Sequence, residues 1–348
     1  MKKIRIGIAG ATGYVGAELV RALSRHPAFE ITSLVSKSYA GTPYSDIYPV
    51  FKGKADTICS PLDTDELAKC CDAVITALPH GVSSEVVPDL LEKGLRVIDH
   101  SGDFRYKDAA VYEKAYKLVH PRPDLLDEAV YGLPELYRDK LSQAKLAANP
   151  GCYPTCSILA LYPLLKNSLV DPDSIIIDAV SGISGAGRTP GDKFNFCEAS
   201  DSFRAYSVTG HRHTSEIEQI LSEFAAINVS VTFTPHLAPM KRGMLATVYA
   251  DMLPDTDEDK IRSLFEKEYE GEYFIRILPK GKAPETIHVE QTNFAEIGIF
   301  VDEHTNRVVI LSAIDNLGKG ASLQAIQTLN IMFGLPETTG LEDLGSFL

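Results

Sequence analysis

The chain lacks long apolar runs, a disulfide framework and excess positive charge, and each absence removes a class of function. No stretch of about 18 apolar residues exists to span a bilayer. The opening segment Ile4–Ala9 is too short for the apolar region of a secretory leader, so a cytoplasmic protein is expected. Six cysteines in 348 residues (Cys59, Cys70, Cys71, Cys152, Cys156, Cys197) fall in no disulfide pattern for a chain of this size, and a reducing compartment with free thiols is expected. Cys152 and Cys156 stand four apart, but no second Cys/His pair completes a zinc pattern, so no metal is expected. The formal net charge is −13. That sign argues against nucleic acid and against anionic membrane surfaces as partners. An anionic small molecule is still allowed, because a few local arginines outweigh a global field.

What is present begins with a strand-like Ile4–Ala9 that runs into Gly10-Ala11-Thr12-Gly13-Tyr14-Val15-Gly16 and then a helical pattern from Ala17 to Ser24. The G-x-x-G-x-x-G spacing lets the backbone turn tightly and approach a pyrophosphate, and the helix start supplies N–H groups and positive potential. A strand before and a helix after are the context that makes a glycine triplet a dinucleotide site. The next strand, Ile31–Val35, ends at Ser36-Lys37-Ser38. An NAD site usually carries Asp or Glu there; hydroxyls and a lysine suit the 2′-phosphate of NADP(H) instead. Strands at 72–78 and 96–99 with a helix at 83–93 between them continue the alternation and predict an open parallel sheet.

Arg105, just past the end of the strand at Val97, is placed to grip an anion. Farther along, Asn149-Pro150-Gly151-Cys152-Tyr153-Pro154-Thr155 delivers a cysteine to the start of an apolar helical segment. A thiol at a helix N-terminus faces unpaired N–H groups and the positive end of the dipole, both of which favour thiolate. Beyond it, the loop Ser181–Arg188, rich in glycine and serine and containing Ser184 and Gly185, suits backbone contact with phosphates or nicotinamide. Strands at 174–180, 229–234, 243–252, 274–278 and 307–315, with few crossover helices, predict a mixed sheet covered on one face. The block Arg204–His211-Arg212-His213 lies ahead of a helical pattern from Glu216. A histidine there has the ionisation range for proton exchange with a thiol, and the residues leave His211 and His213 both open for that role.

Taken together, the glycine turn, Ser101–Arg105, Asn149–Thr155, Ser184–Arg188, Gly210–His213, Pro235–Met240 and Asp315–Gly320 resemble the N-acetyl-γ-glutamyl-phosphate reductases of arginine biosynthesis, relatives of the aspartate-semialdehyde dehydrogenases. The resemblance covers essentially the whole chain. It implies an α/β Rossmann-type NADP-binding domain (1–149 and 317–348) and an α+β catalytic and oligomerisation domain with a mixed sheet (150–316). The implied reaction is reductive dephosphorylation of N-acetyl-L-glutamyl 5-phosphate through a thioester on Cys152.

The resemblance also implies residue roles. His211, seven residues after Arg204, would be the acid/base, with Arg204 on a substrate carboxylate and Arg105 on the phosphate. His213 would line the substrate site and compete for the base role, and Asn316 would meet the nicotinamide carboxamide. Cofactor contacts fall to Gly10, Thr12, Gly13, Tyr14, Val15, Gly16, Ser36, Lys37, Ser184 and Gly185. A homodimer or homotetramer is implied, with an acyl-phosphate substrate as the other partner. Alternatives are a reductase of an aspartyl or aminoadipyl phosphate, or a non-catalytic NADP sensor with an ordinary thiol. The chain departs from the family at His100 and Gly102, where leucine and alanine are usual, and at Ala321-Ser322-Leu323-Gln324-Ala325, where Ala-Ala-Gly-Gln-Ala is usual.

Overall fold

The computed structural model describes residues 2–188 and 191–345. The chain forms two compact units, Met1–Pro150 with Ala321–Asp343, and Gly151–Gly320 with Leu344–Leu348. The first break falls between Pro150 and Gly151, immediately ahead of Cys152. The second falls at Gly320/Ala321, in a segment whose apolar spacing over Gly320–Phe333 predicts a single helix. That segment opens with a π-helical turn, Gly318–Ser322, before the α-helix Leu323–Met332.

The first unit holds strands β1 (Ile4–Ala9), β2 (Phe29–Val35), β3 (Ala73–Thr76), β4 (Arg96–Asp99), β5 (Val130–Tyr131) and β6 (Leu146–Ala148). They pair in the order β2-β1-β3-β4-β6-β5, all parallel. The central strands are buried beyond their first residues, and Ala73-Val74-Ile75-Thr76 is buried from end to end. Burial on both faces is why these strands read as continuous apolar runs rather than alternating ones. Each fully buried Val, Leu or Ile contributes about 1.5–3 kcal/mol through lost apolar surface. Strand order reverses at β1, with β2 added on one side and β3 on the other, so the carboxyl ends of β1 and β3 border the crevice where such sheets bind ligands.

The second unit holds β7 (Ile175–Gly182), β8 (Arg204–Ala205), β9 (Val231–Ala238), β10 (Met244–Asp251), β11 (Ile275–Ile277), β12 (Ala295–Asp302) and β13 (Arg307–Ile314). Their order is β11-β12-β13-β10-β7-β9-β8, mixed in direction. Along β10, and along β7 as far as Ser181, buried and half-buried residues alternate. The buried rows, including Ile177, Ala246 and Ile310, form the core. The opposite rows carry Ile176 with Tyr249 and Val309, and Val180 with Leu245, in register. They present a half-buried sheet face, apolar except for Asp178 paired with Thr247 at its middle.

The helix Cys152–Lys166 is buried from Tyr153 through Leu165. The apolar run that reads as a helix in the sequence begins only at Cys156. Pro154 instead occupies the first turn, where a missing N–H removes no helical hydrogen bond, and Cys152 becomes the first helical residue. Likewise the helix expected from Glu216 begins at His213, which draws that histidine out of the loop and into the first turn.

Candidate active site

The site residues divide between the two units. In the first, Gly10 has φ of +88°, and a Cβ there would stand 2.2 Å from the Ala77 carbonyl oxygen. Only glycine tolerates both demands. At Gly16 a Cβ would meet the Gly10 oxygen at 2.4 Å, so this glycine permits the close strand–helix approach that the fingerprint exists to provide. Gly13 caps the helix Tyr14–Leu23 with extended backbone, and that helix has no side-chain cap and no acidic residue in its first turn. Its N–H groups and dipole therefore face outward uncompensated by local acids, which suits an anion.

Val15 is half-buried and Tyr14 is 41% exposed. The Thr12 hydroxyl lies 2.8 Å from the Ser36 hydroxyl, while Tyr48 donates to the Thr12 carbonyl and Tyr44 to that of Ala11. These bonds hold the glycine turn against the end of β2, where Ser36 is buried and Lys37 exposed. The residues present therefore fit a dinucleotide with an extra phosphate on its ribose.

Beyond β4, Arg105 is almost fully buried and donates to two main-chain oxygens, from Nε to Asn149 and from Nη2 to His100, each at 2.8 Å. Both acceptors are neutral. Asp103, the acid nearest in sequence, is committed elsewhere: it accepts from the Gly81 and Ser84 N–H groups and from the Tyr112 hydroxyl. It thereby caps the helix Ser83–Glu92 and fixes the loop after β3. His100 Nδ1 lies 3.2 Å from Asn149 Nδ2, and its Nε2 is sealed from solvent without a hydrogen-bond partner. Burial and the Arg105 charge push the imidazole down to about 3.

In the second unit Cys152 occupies the first position of a helix that has neither side-chain cap nor first-turn acid. Its thiol is part-exposed. Gly151, immediately before it, donates its N–H at 3.0 Å to Glu216, a fully buried carboxylate. From the other side Gly320 comes so close that a Cβ on it would lie 2.9 Å from the Cys152 Cβ. One turn along, Cys156 contrasts with it. This thiol is buried, donates to the Ser312 carbonyl at 3.1 Å, and is pushed up to about 12 by burial. It is a packing residue.

Both histidines stand beside Tyr153, the residue after the nucleophile candidate. Ring centroids are 5.7 Å apart for His211 and 6.0 Å for His213. His211 also packs on Tyr206 and Phe233, and its Nδ1 accepts the His213 backbone N–H at 3.1 Å. Burial, then the Arg212 charge, push it down to about 4. The Tyr206 hydroxyl donates to that of Tyr153, which donates to the His236 carbonyl. Burial is the largest cause raising both phenols, and the Cys152 charge contributes to each, so neither ionises at neutral pH.

Arg204 lies on the short edge strand β8, its guanidinium 5.6 Å from the centre of the Phe194 ring. Asn316 is buried. It accepts from the Gly243 N–H and donates to the Ser184 hydroxyl, each at 2.9 Å, so it ties the start of β10 to the glycine loop. Gly185 at the tip of that loop is exposed. Behind Asn316, the buried Asp315 pairs with Arg242 through both oxygens, at 2.7 and 3.3 Å, and also accepts the N–H groups of Gln291 and Leu317. Among the described residues no group of three or more His, Cys, Asp or Glu could hold a metal ion.

Sequence reasoning missed Glu216, Gly320 and the Asp315–Arg242 pair. Glu216 read as an ordinary residue of an early helical turn, and its partner Gly151 lies 65 positions away. Spacing along the chain carries no trace of such a contact.

Comparison with known proteins agrees with this architecture. A profile of the family "Semialdehyde dehydrogenase, NAD binding domain" matches residues 5–144, and one of "Semialdehyde dehydrogenase, dimerisation domain" matches residues 152–316. An N-acetyl-gamma-glutamyl-phosphate reductase from Acetivibrio thermocellus is 57% identical over 343 residues, 99% of either chain. The chain belongs to the N-acetyl-gamma-glutamyl-phosphate reductase family. A second member, from Halothermothrix orenii, is 49% identical over 345 residues, again 99% of each chain. Among solved structures, the fold is that of aspartate semialdehyde dehydrogenase II from Vibrio cholerae, complexed with ASA. That likeness has a TM-score of 0.73 at 16% identity and covers 96% of this chain and 99% of the other. The aspartate semialdehyde dehydrogenase from Candida albicans, solved with NADP, has a TM-score of 0.72 at 17% identity over 95% and 99%.

Proposed function

We propose that the chain catalyses the NADPH-dependent reductive dephosphorylation of N-acetyl-L-glutamyl 5-phosphate to N-acetyl-L-glutamate 5-semialdehyde, a step of arginine biosynthesis. The observation that carries this is full-length identity of 57% to a reductase of that name. Cys152 at the uncapped start of a buried helix supports it. The Cys152 thiolate attacks the acyl carbon, the bond from that carbon to the phosphate oxygen breaks, and the departing phosphate takes up a proton. The product is a thioester, which splits one difficult reduction into two easier steps. NADPH, when bound, supplies the hydride that brings the acyl carbon to the aldehyde level. Cys152 then leaves as thiolate, ready for another substrate.

Backbone N–H groups at the uncapped helix start are assigned to the acyl oxygen, as donors for the charge that develops there. Arg105, held by neutral carbonyls, is assigned to the phosphate, and Arg204 to a substrate carboxylate. The glycine turn with Thr12, Ser36 and Lys37 holds NADP(H), while Ser184, Gly185 and Asn316 serve the nicotinamide end. The cofactor domain is then the first unit and the catalytic domain the second.

A homodimer or homotetramer is proposed through the half-buried sheet face of Ile176, Val180, Leu245, Tyr249 and Val309, in the domain that the dimerisation profile matches. The six cysteines are all free thiols, which suits a reducing cytoplasm. A panel of acetylglutamyl, aspartyl and aminoadipyl phosphates assayed with NADPH tests the assignment. Turnover of the acetylglutamyl compound is expected to dominate, and its absence would end the proposal.

A further inference from the structure

His211 receives a hydrogen bond at an atom that a general base of this kind needs to keep adaptable. The His213 backbone N–H points at Nδ1 from 3.1 Å. A backbone amide always donates, so Nδ1 must present its lone pair, and the single proton of the neutral ring sits on Nε2. Adding a second proton would turn Nδ1 into a donor facing a donor.

Burial and the Arg212 charge oppose that extra charge. Arg212 brings a cation from the same loop, and His213 follows from the helix start. Tyr153 and Tyr206 are neutral phenols from the Cys152 helix and the preceding loop, and Phe233 closes the side toward β9. Burial then adds its own penalty, and the ring falls to about 4. With Nδ1 accepting and Nε2 protonated, the ring has no site left to take a proton from a thiol. It does have a donor to offer. A neutral imidazole used as a hydrogen-bonding electrophile is established chemistry in another enzyme, where lowered basicity likewise keeps the ring uncharged.

We propose that His211 acts as a neutral imidazole whose Nε2–H hydrogen-bonds the acyl oxygen as it becomes an oxyanion, and that the proton exchanged with the Cys152 thiol is carried by His213. This rests on the reading of Cys152 as nucleophile and replaces the acid/base role that the family resemblance implied for His211. The same donor serves both tetrahedral intermediates, the one formed when Cys152 attacks and the one formed when hydride arrives. In each, electron density moves onto the acyl oxygen and returns when the phosphate or the thiolate leaves. The ring neither gains nor loses a proton in either step.

The test combines kinetics, alkylation and nitrogen NMR on the full chain. Protein carrying 15N-labelled histidine is expected to show His211 with its proton on Nε2 and no titration above pH 5. His211→Gln, which keeps an amide donor, is expected to retain kcat within about tenfold; His211→Ala is expected to lose about 10²–10³ in kcat with KM little changed. The pH midpoint for iodoacetamide reaction at Cys152 is expected to stay put in His211→Ala and to move by about one unit in His213→Ala. A His211 ring titrating between pH 6 and 8, a proton on Nδ1, or an alkylation midpoint that follows His211 instead of His213 would overturn the proposal. A folded wild-type protein inactive on every acyl phosphate overturns the reductase reading and the oxyanion role together, while the nitrogen signals still report the tautomer.

Discussion

Lowering the pH from 7.5 to 5 should weaken the first unit, and His100 makes the size of its contribution calculable. Its imidazole is pushed down to about 3 by burial and the Arg105 charge, whereas in an unfolded chain it titrates near 6.5. The folded state therefore binds fewer protons across that interval. Stability contributed by the neutral ring is complete above about pH 6.5, declines as pH falls, and is exhausted only below about 3. At pH 5 the unfolded chain is protonated and the folded one is not, which costs about 2 kcal/mol, or 1.36 kcal/mol for each of roughly 1.5 pH units. Near the melting temperature of a domain this size, that corresponds to a drop of about 4–8 °C.

The fully buried Asp99 in the same unit opposes the trend, since burial raises its carboxyl and favours the low-pH form. The clean comparison is therefore between wild type and His100→Asn, whose side-chain oxygen can stand where Nδ1 does. Chemical unfolding of each at pH 7.5 and pH 5 should show the variant less sensitive by about 2 kcal/mol, whatever its absolute stability. Equal sensitivity in the two proteins would refute the reasoning and would mean that the His100 ring takes up its proton while folded.

Three further outcomes follow from single positions. Gly320→Ala places a methyl carbon 2.9 Å from the Cys152 Cβ; kcat should fall by about 10²-fold, because displacement of a reacting group by about 1 Å is that costly. A steady-state assay with unchanged kcat would show that the backbone yields there freely. Ser36→Asp sets a carboxylate where the 2′-phosphate is proposed to bind, so KM for NADPH should rise at least about tenfold while NADH improves; initial-rate kinetics with both cofactors decide it. Asp315→Asn removes one charge of a buried ion pair and should destabilise the second unit by about 3–5 kcal/mol, read as a lower denaturant midpoint, with looser cofactor binding as Asn316 loses its support.

Much of the fold was legible because parallel strands buried on both faces are unbroken apolar runs. Ile4–Ala9 and Arg96–Asp99 were placed to the residue. The two- and three-residue strands Val130–Tyr131 and Leu146–Ala148 were not seen, since so short a run has no period to detect. Strand Ala295–Asp302 was missed as well; Glu296 and Gly298 interrupt its apolar pattern. That glycine answers to a distant neighbour, because a Cβ there would lie 2.8 Å from the Lys282 oxygen.

At the candidate site the motif residues stood out by type and spacing. The contacts that set their chemistry did not. That His211 receives a hydrogen bond from the residue two positions on depends on where the next helix begins, and the sequence reading put that start three residues late. Asn316 was expected as a cofactor contact and is buried in a bridge between Gly243 and Ser184, a pairing made only when β10 and β13 lie side by side.

The central claim is that Cys152 carries the acyl group, and a half-reaction tests it without the reductant. Enzyme mixed with N-acetyl-L-glutamyl 5-phosphate in the absence of NADPH should release a burst of about one phosphate per active chain. Intact-protein and peptide mass spectrometry should find the acetylglutamyl group on Cys152, and added NADPH should discharge it as the semialdehyde. Cys152→Ser should show neither burst nor adduct. An active wild-type enzyme that releases phosphate only when NADPH is present, or that carries its acyl group on another residue, would contradict the account.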